Sequence, residues 1–230
     1  MKTGVISVVM TVFNGAQFLR VALNSIERQN FSNLEVIVID DGSTDDSAAI
    51  AQSYSFVSYH YQENQGTIAS LNSALRKATG EFITFLDADD WWADDKLRIQ
   101  LQLLNEHPEV QIVFGYVQPV VQTPVGSPAP LLNFGSAFMR REVFDQAGLF
   151  DEQIKIYADW DWFFRAIEAG IAIHIHKDVV LYYRRHENNT TNRKQELQQA
   201  LLRFLRKRTH GKRPITLTAD FVGMFITNQE

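Results

Sequence analysis

The stretch EFITFLDADDWW, residues 81–92, reads as a strand that runs straight into acid. Its apolar half is short and bounded, as suits a strand buried on both faces of a parallel sheet. Asp87, Asp89 and Asp90 then crowd three carboxylates into four positions, ahead of Trp91 and Trp92. Like charges this close oppose one another's ionisation unless water, a cation or a partner offsets them. A ligand is therefore expected there. Asp94 and Asp95 precede the helical pattern KLRIQLQLL and are expected to cap it. Capping leaves Asp87 and Asp89, which lie upstream, without an explanation.

Working outward, the pattern repeats. VISVVMTVF (5–13) and EVIVID (35–40) are further strand-like runs, and VSYHYQ is a third. Between them lie helical spacings: Phe18, Leu19, Ala22, Leu23 and Ile26 on one face, then SAAIAQSY, then TIASLNSALRKAT, which Gly80 is expected to end. Strands alternating with helices predict an α/β fold, a doubly wound, mostly parallel sheet flanked by helices in a single domain. Such sheets bind ligands outside the carboxyl ends of their strands. Three of those ends are chemically loaded here: TVFNG (11–15), DDGSTDD (40–46) and DADDWW (87–92). In the DDGSTDD loop, Gly42 supplies the turn and Thr44 or Asp45 a cap, which leaves Asp41 over. A carboxylate at a strand end accepts a nucleobase N–H, and Phe13 offers a flat ring beside it.

The second half is less regular. Four of the six prolines fall in PVVQTPVGSPAP (119–130), expected as a mobile loop over the site. A helix is expected around DWDWFFRAIEAG, with Trp160, Phe163, Phe164 and Ile167 as its core stripe. A strand IAIHIH follows, then LYYRRHENNTT leading into a helix over 193–208.

Composition narrows the options. In 230 residues, 45% are hydrophobic and 21% charged, which is ordinary globular usage. The absence of cysteine excludes disulfides and thiolate zinc sites. The first residues read as a strand, and no stretch approaches the ~20 apolar residues of a membrane span, so a soluble cytoplasmic protein is expected. The sequons at Asn188 and Asn189 are then without consequence. Net charge is −5, yet residues 184–213 hold ten of the 22 Lys and Arg and two of the 27 Asp and Glu. That basic stretch suits either a solvated helix face or contact with anionic membrane at its inner surface. Nucleic acid is not expected, because aromatics are not interleaved with the charges.

The ordered series SVVMTVFNG, VIVIDDGSTD, NQGTIASLNSALRKATGEFITFLDADDWW, GSAFMRREVFDQAGLFDE, YADWDWFFR and YYRRHENNT resembles the inverting glycosyltransferases of family 2, which have the GT-A fold. The resemblance runs from about residue 5 to residue 192. It implies a GT-A domain over 1–192, with a nucleotide-sugar half (1–106) and an acceptor half (107–192), followed by a basic tail (193–230). The implied function is metal-dependent transfer of a sugar from a UDP-sugar donor to a glycan or lipid-linked acceptor in polysaccharide or cell-envelope synthesis. Thr11, Phe13, Asn14 and Asp41 fall where the family contacts the nucleoside, and Asp87 and Asp89 are its Asp-x-Asp pair. Asp89 and His186 are then the expected ligands of Mg2+ or Mn2+ bridging the diphosphate, with Arg184 and Arg185 nearby to offset its charge.

An inverting displacement needs a base for the acceptor hydroxyl. Asp159 and Asp161 compete for that role, and two residues turn a helix by ~200°, so both cannot face one ligand. Asp161 has Arg165 at i+4, whereas Asp159 has no such partner, and the resemblance also selects Asp159. Two departures stand out: Leu71 replaces a common arginine, and Ala158 replaces an acidic residue. A non-catalytic nucleotide-binding or scaffold protein is therefore the main alternative. A sugar nucleotidyltransferase is a third reading, weakened because FNGAQF carries no cation before Arg20.

Overall fold

Alternation along the central strands sorts their side chains between two helical layers. Val8 and Met10 of β1 (Ile6–Val12), with Val36 and Val38 of β2 (Leu34–Asp40), face α1 (Ala16–Glu27), α2 (Ser47–Gln52) and α4 (Lys96–Glu106). Val9, Ile37 and Ile39 face the opposite layer, built by α3 (Thr67–Lys77), α5 (Val143–Ala147) and α6 (Ala158–Glu168). These contacts come from the computed structural model of the chain, which describes residues 4–187, 189 and 198–200. Runs such as VIVID are apolar on both faces because each face meets a helix layer.

The remaining strands are β3 (Val57–Tyr61), β4 (Phe82–Phe85), β5 (Trp91–Trp92), β6 (Ile112–Val120), β7 (Ala129–Pro130), β8 (Ala137–Arg140) and β9 (Ile173–Arg184). The sheet order is β3-β2-β1-β4-β8-β6-β9-β5, with β7 beside β6. β1 pairs in parallel with both β2 and β4, and β2 with β3. β8 runs against β4 and β6, so β6 and its parallel partner β9 point the same way as β1. The fold is thus the mixed, mostly parallel α/β sheet expected. The chain moves outward from β1 to β3 and returns to β4 on β1's other side. That reversal places the ends of β1, β2 and β4 beside one crevice.

Several expected features differ. α3 ends at Lys77 with Ala78 extended, so Gly80 caps nothing. Gly80 is small for another reason: a Cβ there would come within 2.6 Å of the Val5 carbonyl. Residues 119–130 form a return that pairs back on β6, with Val125 N–H donating to the Pro119 carbonyl at 2.9 Å. In α6 the buried face is Ala158, Asp161, Trp162, Phe163 and Ala166, while Trp160 and Ile167 of the expected stripe pack half-buried against the same core. Asp95 stands at the α4 N-cap without a capping bond from its side chain to the helix backbone N–H groups. Its carboxylate accepts from Arg98, and that of Asp94 from Arg28. The basic segment 193–208 falls, except for 198–200, outside the described residues. Among the described residues no helix is long and apolar enough to cross a membrane.

Asn72 joins the two halves. Its amide donates to the Phe150 carbonyl at 3.0 Å and to Glu152 at 2.8 Å, and its oxygen accepts from Phe150 N–H at 3.0 Å. Removing it would leave buried backbone groups unpaired. Asn72→Ala is expected to cost about 2–3 kcal/mol, and so lower the melting temperature by roughly 4–12 °C. Thermal unfolding followed by circular dichroism checks this.

Candidate active site

The first two strand ends are laced together by side chains. Asp41 N–H donates to the Val12 carbonyl at 2.8 Å, which aligns β2 with β1 as both leave the sheet. Asn14, at φ 50°, accepts on Oδ1 from Thr44 N–H at 2.8 Å. The amides of Asn14, Gly15 and Ala16 donate to Ser43 Oγ, Ser47 Oγ and Asp45 Oδ2 at 2.9, 3.0 and 3.0 Å. The N–H groups opening α1 are therefore already engaged by the 43–47 loop. They form no open phosphate cradle of the kind that nucleotidyl transfer uses after a first strand.

Phe13 stands out as apolar surface left in water, 55% exposed at the end of β1, while Thr11 behind it is half-buried. Asp41 is 3% exposed. Its Oδ1 accepts from Gln62 Nε2 at 2.8 Å and from Gln65 N–H at 2.9 Å, and its Oδ2 from Gly66 N–H at 2.8 Å. A carboxylate has about four acceptor positions, so roughly one remains for a ligand. Gln62 and Gly66, the latter at φ 91°, were not singled out by sequence, because nothing local marks them as partners of Asp41.

The three-aspartate cluster divides. Asp90 turns inward, buried, and its Oδ1 accepts from Arg184 N–H at 2.8 Å. Burial, with Asp87 and Asp89 beside it, pushes its carboxyl well above the usual range. Asp87 and Asp89 stay toward the cleft. Asp89 Oδ2 lies 2.9 Å from His186 Nε2, which brings the end of β9 against the end of β4. Asn189 holds that turn: its Oδ1 accepts from His186 N–H, and its amide donates to the Arg184 carbonyl at 3.0 Å.

Asp87 keeps one side open to solvent while protein crowds it on the others. That crowding, followed by the charges of Asp89 and Asp159, raises its pKa to about 7. Asp159, the second residue of α6, is raised to about 6 by burial, against which its own and the Trp160 N–H groups act. Asp87, Asp89 and Asp159 thus share one electrostatic neighbourhood. Asp161 faces away, 4% exposed, with Oδ2 accepting from Arg165 Nε at 3.0 Å.

Carboxyls with raised values favour the folded state while protonated, and that advantage fades as pH rises toward their folded values. At pH 7.5, Asp87→Asn is expected to raise stability by about 1–2 kcal/mol, discounted for the open side of Asp87. At pH 4.5 the gain should shrink to about a quarter of that, because the pH is then close to the ordinary value of the unfolded carboxyl. Melting temperatures at both pH values test it.

The two tryptophans have separate fates. Trp92 is fully buried and donates from Nε1 to the Gly135 carbonyl at 3.2 Å. Trp91 stacks on Tyr182 at 5.3 Å, and the Arg184 guanidinium lies 4.6 Å from its ring centre. Trp91 is thus packed against Tyr182 and Arg184, half-buried. Arg185 is exposed, and Leu71 packs half-buried against the core.

One carboxylate and one imidazole suit a divalent ion that keeps waters and takes its other oxygens from a diphosphate. Asp89 and His186 fit that role. Among the described residues no three His, Asp or Glu side chains form a ready cage, so a phosphate ligand would complete the coordination.

The comparisons agree with this architecture. An uncharacterized glycosyltransferase of Rickettsia typhi is 30% identical over 210 residues, 81% of this chain and 66% of that protein. The chain thus spans just under two thirds of that relative's length. TarS of S. aureus, residues 1–349, solved with UDP-GlcNAc, superposes with TM-score 0.73 at 22% identity, covering 86% of this chain and 64% of that one. A mannosyltransferase of Pyrobaculum calidifontis, solved with GDP-Man and Mn2+, gives TM-score 0.71 at 23% identity, covering 92% and 66%. Both share the GT-A fold. Residues 7–159, which hold the crevice strands and end on Asp159, match the glycosyl transferase family 2 profile, and the chain belongs to that family.

Proposed function

We propose that the chain is a metal-dependent inverting glycosyltransferase that moves a sugar from a UDP-sugar to a glycan or lipid-linked acceptor. The observation that carries this reading is the meeting of Asp89 with His186 at 2.9 Å, beside Asp87 and Asp159, at the carboxyl edge of the parallel strands. Phe13 stacks on the base, Thr11 and Asn14 border the nucleoside, and the remaining acceptor position of Asp41 takes a ring N–H. That acceptor position alone suits uracil or guanine. The UDP-GlcNAc and GDP-Man bound by the two structural neighbours make both arms worth testing.

Asp89 and His186 would hold Mg2+ or Mn2+, which supplies charge neutralisation to the departing diphosphate. Asp159 accepts the proton of the acceptor hydroxyl as its oxygen bonds to the anomeric carbon. The bond from that carbon to the donor phosphate oxygen breaks in the same step, and its electron pair leaves with the nucleoside diphosphate. Asp161 anchors the helix through Arg165, which also donates to the Ala147 and Leu149 carbonyls. Residues 1–106 serve the donor, joined at the diphosphate by His186, and the rest of 107–192 serves the acceptor. The basic 184–213 stretch suits an acceptor held at an anionic membrane, which flotation with anionic and neutral liposomes tests.

A panel of UDP- and GDP-sugars, read by thermal shift with Mn2+, tests the donor half. A shift with at least one nucleotide sugar, absent without nucleotide, is expected. No shift with any of them would favour the scaffold reading that Leu71 and Ala158 raise.

A further inference from the structure

Phe18 is the third residue of α1, on the stripe that carries Leu19, Ala22, Leu23 and Ile26 into the core. Those four are fully buried, whereas Phe18 is half-buried and packs with neither core cluster. Its partners are polar. The Arg184 guanidinium lies 4.8 Å from its ring centre, and the His186 ring 4.9 Å away at 35°.

Arg184 has a second jaw. Trp91 approaches it at 4.6 Å and is itself stacked on Tyr182, its cross-strand partner. Held this way, Arg184 donates from Nε to the Asp89 carbonyl at 2.8 Å and from its backbone N–H to Asp90. A guanidinium on a flexible stem loses its aim without flanking surfaces, and aromatic faces fix its plane while attracting its charge. One jaw is thus built into β5 and β9. The other arrives on α1, far away in sequence, and also touches His186.

We propose that Phe18 is a positioning residue for the Asp89–His186 pair: its ring fixes the Arg184 fork on the Asp89 backbone and the His186 imidazole on the Asp89 carboxylate. This rests on the reading of the cleft as a site for a nucleoside diphosphate and a divalent cation. Orienting partners behind a cation's ligands commonly set its affinity by one to two orders of magnitude. Phe18 therefore governs how much cation the cleft needs, rather than the proton transfer at Asp159.

The test uses the whole chain as wild type, Phe18→Leu and Phe18→Tyr. Two readouts are taken: exchange of the Arg184 Nε–H with water by 15N NMR, and the Mn2+ concentration giving half-maximal UDP binding, with GDP as a second arm. In Phe18→Leu the Nε–H should exchange about tenfold faster and the Mn2+ requirement rise about tenfold, with the melting temperature changed by only a few degrees. Phe18→Tyr, which keeps the ring, should return both to within about twofold of wild type. Unchanged exchange in Phe18→Leu would overturn the proposal whatever the protein binds. So would faster exchange with an unchanged Mn2+ requirement, since Phe18 would then order Arg184 without serving the pair. If wild type binds neither UDP nor GDP at any Mn2+ concentration, the functional reading itself fails, visibly in that arm alone, and the proposal falls with it.

Discussion

Asp159→Asn is expected to lower sugar transfer by about 10²–10⁴-fold, with donor binding retained. The substitution keeps the shape and the hydrogen bond that Asp159 Oδ1 accepts from Trp160 N–H at 2.9 Å, because an amide oxygen accepts equally well. It removes only the capacity to take a proton. Burial raises Asp159 to about 6, and a base works when ionised. The wild-type rate should accordingly rise about tenfold per pH unit below that value and level off above it. Initial rates against pH in both proteins test the assignment. Asp161→Asn should behave differently, weakening the buried ion pair with Arg165 and thus stability, while keeping the pH profile.

The second large effect is expected at Asp89. Asp89→Ala should cost on the order of 10²–10³-fold in kcat/KM and abolish the dependence of nucleotide binding on Mn2+. The reason is positional. Asp89 is the carboxylate that meets His186, whereas Asp90 is turned into the core against the Arg184 N–H. Asp90→Asn should leave the Mn2+ requirement near wild type. Binding titrations with and without Mn2+ distinguish the two neighbours.

Sequence periodicity located β1, β2 and β4 because strands between two helical layers are apolar throughout, and that signal is local. The crevice followed from their order, since the alternation of strands and helices dictates parallel pairing. Sequence patterning placed the carboxylates at strand ends, but the division of labour among them was not legible. Whether Asp87 or Asp90 faces the core is decided by β9, which reaches back some ninety residues later. Likewise, the packing of Trp91 against Tyr182 and Arg184 joins segments some ninety residues apart and was not legible locally. In α6 the expected stripe omits Trp162, which is fully buried, because Trp160, Trp162, Phe163 and Phe164 offer two overlapping apolar stripes. Asn189 drew attention only as part of a sequon, though its partner is the His186 turn. Such polar clasps depend on contacts between distant segments, which no short window contains.

Central to the proposed function is a cleft in which acidic groups after β4 and in α6, with His186 after β9, would surround a cation and a nucleoside diphosphate. Isothermal titration of UDP and GDP, with and without Mn2+, in wild type and Asp89→Ala, tests it most directly. Mn2+-dependent binding of at least one nucleotide, lost in the variant, is the predicted result. Absence of binding at millimolar nucleotide, or binding indifferent to both Mn2+ and Asp89, would contradict it.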